Sequence, residues 1–327
     1  MARGPVTSAT LRVGVLGAGT WAPMHLAALA TLPDVEVVGI ADRDVDRAAA
    51  VAGSYGIGTY VDDAVGLLDR LRPDAVVIVT PSPTHQPFAQ ACAERGIAAL
   101  VEKPVCRVGE EQALLAAAEQ VIMMPGHVLR FCEPYVRVAD LAAQEWGPVL
   151  GLSAQRHRER GHVTSYPETH IVDLTMVHDI DLSLWLLGSG ADSGTGGRVV
   201  EVSATTALPT AAAPSLTPGA PPALAQAELR TADGRVALLR SSFLLPEGAE
   251  GRDLLVATGR GGTETVASTD VDLAAGTAAE WRHFLDAVRS GRPPTRVTIA
   301  DAVAGLQVAA AIKASAARDG EPVSVPG

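Results

Sequence analysis

Two patterns of apolar residues divide the chain. In the first 125 residues, short apolar runs alternate with segments of helical spacing. The apolar runs predict four buried strands, at Leu11–Leu16, Val35–Ala41, Asp74–Val79 and Ile97–Val101. The segments between them predict helices at Thr20–Leu32, Asp44–Ser54 and Thr84–Arg95. Strands that alternate with helices indicate a doubly wound parallel sheet with right-handed crossovers.

After Gly126 the pattern changes to strands of partly alternating polarity. We predict these at Val149–His157, Val199–Ala207, Ala223–Thr231, Val236–Phe243 and Asp253–Thr258. An amphipathic helix, Val172–Leu187, interrupts them, and two more, Ala278–Ser290 and Ile299–Ala317, follow. The pattern predicts an α+β domain with a large open, mostly antiparallel sheet and helices on one face. We place the domain boundary between 1–126 and 127–327, and interpret Leu208–Pro222 as a mobile surface loop.

Composition narrows the function classes. The chain has 327 residues, is 47% hydrophobic and carries a formal net charge of −11. That length favours two domains, and the acidic balance argues against nucleic acid or an anionic membrane as partner. No signal-peptide pattern or membrane-spanning apolar run is evident, and three widely spaced cysteines indicate reduced thiols, so we expect a cytoplasmic protein. Lysine occurs only at Lys103 and Lys313.

The segment Gly17-Ala18-Gly19-Thr20-Trp21-Ala22 follows a predicted strand and opens a predicted helix. Gly17 permits a tight turn, and Gly19 lets backbone approach a pyrophosphate at the helix N-terminus. Asp42 ends the second strand, where a carboxylate binds ribose hydroxyls. Asp42 favours NAD because it repels a 2′-phosphate, whereas Arg43 beside it would receive that phosphate in NADP.

Two further motifs carry groups suited to catalysis. Glu102-Lys103-Pro104 follows the strand Ile97–Val101, at the edge where open α/β sheets place their active sites, and a lysine there can bind a substrate oxygen. His178 and Asp181 lie three residues apart on the amphipathic helix, so the carboxylate can orient the imidazole. His25 is expected to be packed or exposed, and His170 to be a solvated surface residue.

Together these motifs resemble the Gfo/Idh/MocA family of NAD(P)-dependent sugar and cyclitol oxidoreductases. The resemblance spans nearly the whole chain and is carried by the Gly17 loop, Thr80-Pro81-Ser82-Pro83-Thr84-His85, Glu102-Lys103-Pro104, Gly126-His127-Val128-Leu129-Arg130-Phe131 and His178-Asp179-Ile180-Asp181. It implies a Rossmann domain followed by a substrate-binding domain whose open sheet forms a homodimer or homotetramer.

The resemblance also implies roles for individual residues. Lys103 and His178 would be the catalytic pair, with Asp173 or Asp181 assisting His178. The expected cofactor contacts are Gly17, Gly19, Thr20, Trp21, Asp42, Arg43, Thr80, Pro81, His85, Glu102 and Lys103. Arg130, His157 and Asp179 are candidate substrate contacts, and no metal ligands are expected.

One departure from the family pattern concerns Asp173. Many members place a catalytic aspartate four residues before the histidine, but here that position is Leu174 and Asp173 is five residues away. On an ideal α-helix this spacing rotates Asp173 off the His178 face. Either a local bulge or wider turn restores the geometry, or another group, such as Asp181, takes the role.

The expected function is hydride transfer between NAD or NADP and a secondary alcohol or ketone of a sugar, nucleotide sugar or cyclitol. One alternative is an enzyme that retains NAD and catalyses elimination or glycoside cleavage without net redox change. Another is a dinucleotide-binding sensor without catalysis. A third is an oxidoreductase for an imine or pyrrole-type ring that uses a different proton carrier.

Overall fold

The computed structural model describes residues 10–161, 169–188, 197–207 and 222–326. The loop predicted at Leu208–Pro222 lies, except for its last residue, outside the described residues. The chain divides into two compact units. The first comprises 1–132 and 272–303, and the second comprises 133–271 and 304–327.

The first unit contains a six-stranded parallel sheet. Its strands are β1 Leu11–Leu16, β2 Val35–Ala41, β3 Tyr60–Val61, β4 Ala75–Ile78, β5 Ala98–Glu102 and β6 Met123–Gly126. They pair in the order β3-β2-β1-β4-β5-β6, every neighbouring pair parallel. This is the strand order of the doubly wound dinucleotide-binding fold, as predicted.

Nine α-helices lie within the described residues. In chain order they are α1 Ala22–Ala30, α2 Val45–Tyr55, α3 Ala64–Leu71, α4 His85–Glu94, α5 Glu111–Ala118, α6 Glu133–Leu141, α7 Val177–Gly188, α8 Leu273–Ser290 and α9 Ile299–Ala316. Helix α8 belongs to the first unit because it packs on α1, with Trp281 and Phe284 in the same core as Leu26 and Leu29. A single cut after Gly126 does not anticipate this return of the chain.

The second unit contains a seven-stranded sheet. Its strands are β7 Val149–Glu159, β8 Val199–Ala207, β9 Leu224–Thr231, β10 Val236–Leu245, β11 Arg252–Gly259, β12 Thr263–Ala267 and β13 Val323–Ser324. Their order is β12-β11-β7-β10-β9-β8-β13, and only the β7–β10 pair is parallel. Helix α7 packs on β7 and β10. The predicted open, mostly antiparallel sheet is confirmed.

Helix α9 is the only described helix whose length and hydropathy would allow a membrane span. Its 18 residues have a mean hydropathy of 1.3, and 56% of them are buried within the structure. A mostly buried apolar helix of this kind is also a common feature of a protein core. Asp301 and Lys313 interrupt the apolar residues of α9, so it is not a continuous apolar run.

Candidate functional site

The glycine loop joins β1 to α1 in the first unit. Gly17 has φ +108°, and a Cβ there would lie 2.7 Å from the carbonyl carbon and oxygen of Val79, so only glycine fits this turn. A Cβ on Gly19 would meet no heavy atom of the described residues within 4 Å. The N-cap residue Trp21 makes no side-chain hydrogen bond to the described helix. An open backbone at an uncapped helix N-terminus fits a dinucleotide pyrophosphate.

Asp42 follows β2 and is held by neighbours within the loop. Its carboxylate accepts hydrogen bonds from the amides of Ala18 (2.7 Å) and Asp44 (2.9 Å) and pairs with Arg47 at 2.6 Å. Burial alone would raise the pKa of Asp42, but the hydrogen bonds from Arg47 and the two amides hold it below its usual value. Arg43, the predicted phosphate ligand, is exposed, whereas Arg47 in the first turn of α2 contacts Asp42.

The predicted cofactor residues Thr80 and His85, which follow β4, are linked by hydrogen bonds to the loop that carries Lys103. The ring nitrogens of His85 lie 2.8 Å from the Pro104 carbonyl oxygen and 2.7 Å from the Thr80 carbonyl oxygen. His85 is buried, and both nitrogens are engaged within the protein. Thr84 donates a hydrogen bond from Oγ1 to the Thr80 hydroxyl at 2.8 Å. His85 thus links the loop after β4 to the loop that carries Lys103, and its contact with the cofactor stays a prediction.

A buried hydrogen-bonded chain anchors the backbone of Lys103. The Trp281 indole N–H donates to Nδ1 of His25 at 3.1 Å, so the neutral ring carries its proton on Nε2. That nitrogen lies 3.1 Å from Oε1 of Glu102, whose Oε2 accepts the Lys103 amide at 3.0 Å. Burial would raise the pKa of Glu102, but the bond to His25 and the nearby Lys103 hold it low.

This hydrogen-bonded chain places three residues named in the sequence analysis, Glu102, His25 and Lys103, and adds Trp281. Glu102 bonds His25 with one oxygen and the Lys103 amide with the other, which fixes the backbone of Lys103 at the carboxyl end of β5. The contact of Glu102 with the cofactor stays a prediction. His25 is packed, which was one of the expected outcomes. The half-buried Lys103 begins from this anchored backbone. Trp281 was missed, since no local pattern links residues 256 positions apart.

Arg130, a predicted substrate contact, is buried in the first unit. Its Nη1 donates to the carbonyl oxygen of Arg296 at 3.2 Å and lies 3.9 Å from a carboxylate oxygen of Asp301. The side chain is 3% exposed. These contacts assign Arg130 to packing of the segment around 296–301, so the substrate role is not supported.

In the second unit, a wider turn precedes the predicted catalytic histidine. Residues Val172–Met176 form a π-helix that continues directly into α7, where His178 lies in the first turn and is half-buried. The i→i+5 bonding of a π-helix adds one residue to the turn, so residues five apart take the places that residues four apart hold in an α-helix. The wider turn offered above as one explanation of the Asp173 spacing is therefore present.

Asp173 on this turn is held by a lysine. Both of its carboxylate oxygens accept hydrogen bonds from Nζ of Lys313, at 2.8 and 2.7 Å. Asp181, the other predicted assistant of His178, is buried at 3% exposure. Lys313 was noted in the sequence as one of two lysines, but nothing in the pattern linked it to Asp173.

His170 caps the start of the π-helix. Its carbonyl accepts the amides of Asp173 (2.9 Å) and Leu174 (3.0 Å), and its Nδ1 accepts the Val172 amide at 3.2 Å. Burial lowers the pKa of His170, and nearby Lys313 lowers it further while Asp173 opposes them. The expectation of a solvated surface residue was wrong, because this imidazole satisfies a helix N-terminus.

Asp179 was predicted to contact substrate, but the structure places it in a buried ion pair. Arg156 donates to both oxygens of Asp179, the shortest contact being 2.9 Å, and reaches Asp253 at 2.6 Å. Asp179 is 2% exposed and Arg156 4% exposed. Burial raises the pKa of Asp179, and the Arg156 guanidinium opposes that rise. With 2% exposure and three hydrogen bonds from Arg156, Asp179 links α7 to β7 inside the second unit.

His157, the third predicted substrate contact, alternates with Arg156 along β7. The two side chains therefore lie on opposite faces of the sheet, with Arg156 on the face covered by α7. Nδ1 of His157 lies 2.8 Å from the hydroxyl of Ser242 on β10. Burial lowers the pKa of His157, and Arg240 lowers it further. This placement does not support a substrate role.

The cysteines and the possible metal-ligating side chains of the described residues were the remaining candidates for a reactive site. Cys92, Cys106 and Cys132 are free and buried, as expected, and burial raises the pKa of each thiol to about 12. No group of three or more His, Cys, Asp or Glu side chains is placed to hold a metal ion in the described chain.

Comparison with known proteins adds independent information. Residues 11–127 match the model of the Gfo/Idh/MocA family, described as an oxidoreductase family with an NAD-binding Rossmann fold. Inositol 2-dehydrogenase 2 of Saccharopolyspora erythraea is 32% identical over 185 residues, which are 55% of this chain and 54% of that protein. D-apiose dehydrogenase of Paraburkholderia graminis is 27% identical over 184 residues, 53% of this chain and 49% of that protein.

The chain thus matches about half the length of these curated relatives. The crystal structure of myo-inositol 2-dehydrogenase from Lactobacillus plantarum has a TM-score of 0.85 at 20% identity. The match covers 97% of this chain and 100% of that one. At that identity the likeness establishes the fold of both units and nothing about the substrate.

Proposed function

We propose that the protein is an NAD-dependent dehydrogenase of cyclitols. The match of residues 11–127 to the model of the Gfo/Idh/MocA family, oxidoreductases with an NAD-binding Rossmann fold, supports this proposal. The reaction would convert a secondary alcohol of an inositol-like polyol into a ketone. The names of the relatives favour this class, since several are inositol 2-dehydrogenases. The D-apiose dehydrogenase keeps sugars as the second substrate class to be tested.

The anchored Lys103 is the observation that carries this proposal. Its backbone follows the carboxyl end of β5, where open parallel sheets place their active sites. The Trp281–His25–Glu102 chain holds that backbone through the Glu102–amide bond. A lysine fixed in this way can donate a hydrogen bond to the oxygen of the reacting alcohol. A sensor without catalysis would not need a lysine held so firmly at this edge.

The residues that would hold the dinucleotide lie in the glycine loop after β1 and in the loops after β2 and β4. Gly17 and Gly19 leave the α1 N-terminus open to phosphates. Asp42 would meet the adenine ribose, and its pairing with Arg47 moderates its repulsion of a 2′-phosphate. We therefore propose NAD as the preferred cofactor, with some NADP accepted.

His178 is proposed to handle the proton of the alcohol. An imidazole in the first turn of α7 can accept the hydroxyl proton as the C–H bond is cleaved and return it in the reverse reaction. Lys103 would stabilise the developing negative charge on the same oxygen. The bound nicotinamide would supply the hydride acceptor, and the protein supplies orientation and charge.

The test is a spectrophotometric screen of inositols and sugars with both cofactors. We expect absorbance of reduced nicotinamide to rise with myo-inositol or a related cyclitol and NAD. Lys103→Met and His178→Ala, each made alone, should abolish turnover while NAD binding persists. Unchanged turnover in both variants would refute the assigned roles, and product formation without net nicotinamide reduction would instead support the lyase or glycosidase alternative.

Association of subunits is a separate proposal. Leu238 and Leu254 are 51% and 39% exposed, and they share the sheet face of His157 because they pair with Ser153 and Gln155 of β7. An exposed apolar sheet face of this kind favours burial against another copy. Sedimentation analysis is expected to show a homodimer or homotetramer, and a monomer would refute it. The cytoplasmic location likewise stays a prediction.

A further inference from the structure

Lys313 and Asp173 form an ion pair within the second unit that the proposed function does not use. Nζ of Lys313, on α9, lies 2.8 and 2.7 Å from the two oxygens of Asp173. The lysine side chain is 30% exposed and the aspartate 23% exposed. The residues are 140 positions apart in the sequence, so helix α9 and the π-helix both have to be in place for the pair to form.

The partner of this lysine lies on the irregular turn before His178. A π-helix is less stable than an α-helix and recurs at functional sites. At its start, His170 accepts the Val172 amide, and along it Lys313 holds Asp173. His170 and Lys313 thus support the five-residue π-helix. This wider turn compensates for the one residue by which the spacing from Asp173 to His178 exceeds four.

The hydrogen-bonding capacity of the pair matches a hydroxyl ligand. An ionised carboxylate has about four acceptor sites, and an ammonium group has three donors. The two bonds to Lys313 use two of each, so the carboxylate retains acceptor sites for a hydroxyl group. A carboxylate held in one orientation before the substrate binds discriminates between the hydroxyl groups of a polyol better than a carboxylate that rotates.

Building on the proposed function, we propose that Lys313 is a positioning residue that fixes the Asp173 carboxylate on the widened turn for recognition of a substrate hydroxyl. The ligand class is a polyol with a hydroxyl next to the reacting carbon. Lys313 acts through Asp173 and does not exchange the proton of the reaction. Its removal should therefore impair substrate recognition and leave dinucleotide binding intact.

A double-mutant cycle tests the coupling. The variants are Lys313→Met, Asp173→Asn and the double variant, with Lys313→Arg as the conservative replacement. We expect kcat/KM for the cyclitol to fall about 10- to 100-fold in either single variant, the range for a misplaced positioning group. The double variant should be no worse than Asp173→Asn alone, and Lys313→Arg should recover part of the loss. Additive losses would overturn the inference.

The matched control is Arg137→Met, which breaks an exposed ion pair with Glu264 in the same unit. This variant should leave kcat/KM unchanged. The NAD dissociation constant and thermal midpoint, measured on every variant, should change little in Lys313→Met. A loss of activity that only parallels a loss of folded protein would overturn the proposal in favour of a structural role.

The lysine content permits a test that needs no turnover. With only Lys103 and Lys313 present, reductive ¹³C-methylation adds two lysine signals to an NMR spectrum, and Lys313→Met assigns them. The Lys313 signal is expected to move in Asp173→Asn, and in the wild type on titration with myo-inositol in the presence of NAD. A signal that moves in neither case overturns this inference. A wild type inactive on all cyclitols and sugars would overturn the proposed function separately.

Discussion

The buried pair between Arg156 and Asp179 yields a prediction that separates a structural role from a substrate role. Asp179 is 2% exposed and receives hydrogen bonds from Arg156 on both oxygens. The substitution Asp179→Asn removes the negative charge while keeping the size of the side chain. Arg156→Met makes the complementary change and leaves the carboxylate buried without its main counter-charge.

The expected loss follows from desolvation. Breaking a buried ion pair by removing one partner costs about 3–5 kcal/mol, because the remaining charge has lost both water and its partner. For a unit of this size, each kcal/mol lowers the thermal midpoint by about 2–4 °C, so Arg156→Met should unfold roughly 6–20 °C earlier. Asp179→Asn should lower the midpoint by less, because Arg156 keeps its ion pair with Asp253. The matched control is Arg230→Met, which breaks an exposed pair with Glu228 and should cost about 1 kcal/mol at most.

The pH dependence has a defined sign. Burial raises the pKa of Asp179, so the folded state holds a proton more tightly than the unfolded state does. Stability from such a group is present at acid pH and is lost as the pH rises through the folded pKa. Removing Arg156 raises that pKa further, so Arg156→Met should be less destabilised at acid pH than at neutral pH.

The assay is thermal unfolding from acid to neutral pH, with KM for the cyclitol measured below the midpoint. We expect Asp179→Asn to lower the midpoint and leave KM nearly unchanged in the folded fraction. An unchanged midpoint with a raised KM would refute this reasoning and restore Asp179 as a substrate contact.

Three further predictions concern the glycine loop, the π-helix and cofactor preference. Gly17→Ala should lower both the thermal midpoint and NAD affinity, because its Cβ has no room. Gly19→Ala should lower NAD affinity alone, as measured by NADH fluorescence, and equal effects on folding would contradict the assignment. His170→Ala should lower the free energy of unfolding by about 1 kcal/mol, and His170→Asn by less, since asparagine also caps a helix. Because burial lowers the pKa of His170, the wild type should lose stability as the pH falls below about 6.5, and both variants should show less of this loss. Arg47→Ala should raise the preference for NAD over NADP in kcat/KM ratios, because it exposes the Asp42 charge; an unchanged ratio would exclude Arg47 from cofactor discrimination.

The parts of this molecule that could be predicted depend on neighbours along the chain. The turn at Gly17 is a strand–turn–helix signal within six residues, and its positive φ is what the pattern required. The wider turn before His178 was one of two explanations predicted for the position of Asp173. It could be predicted because the spacing of residues along a helix is also a local property of the sequence. The parallel first sheet and the mostly antiparallel second sheet were likewise predicted from local alternation of apolar and polar residues.

The contacts that could not be predicted join residues far apart in sequence. The bond of Glu102 to His25, 77 positions earlier, has no signal in the residues near either one. Asp179 was placed at the substrate because Arg156 lies on another element. In both cases the motif shows a charged side chain but not the tertiary contacts that this side chain makes in the fold.

The two lysines show why the kind of contact matters more than the presence of a motif. Glu102 bonds the main-chain amide of Lys103, so it fixes where that side chain begins. Asp173 bonds the ammonium of Lys313 with both oxygens, so it uses the reactive end of that side chain. The anchored backbone of Lys103 fixes where its side chain starts at the carboxyl end of β5, and the Lys313 ammonium holds the carboxylate of Asp173. Under the proposed function, substitution of Lys103 should affect the chemical step, and substitution of Lys313 should affect recognition of the substrate.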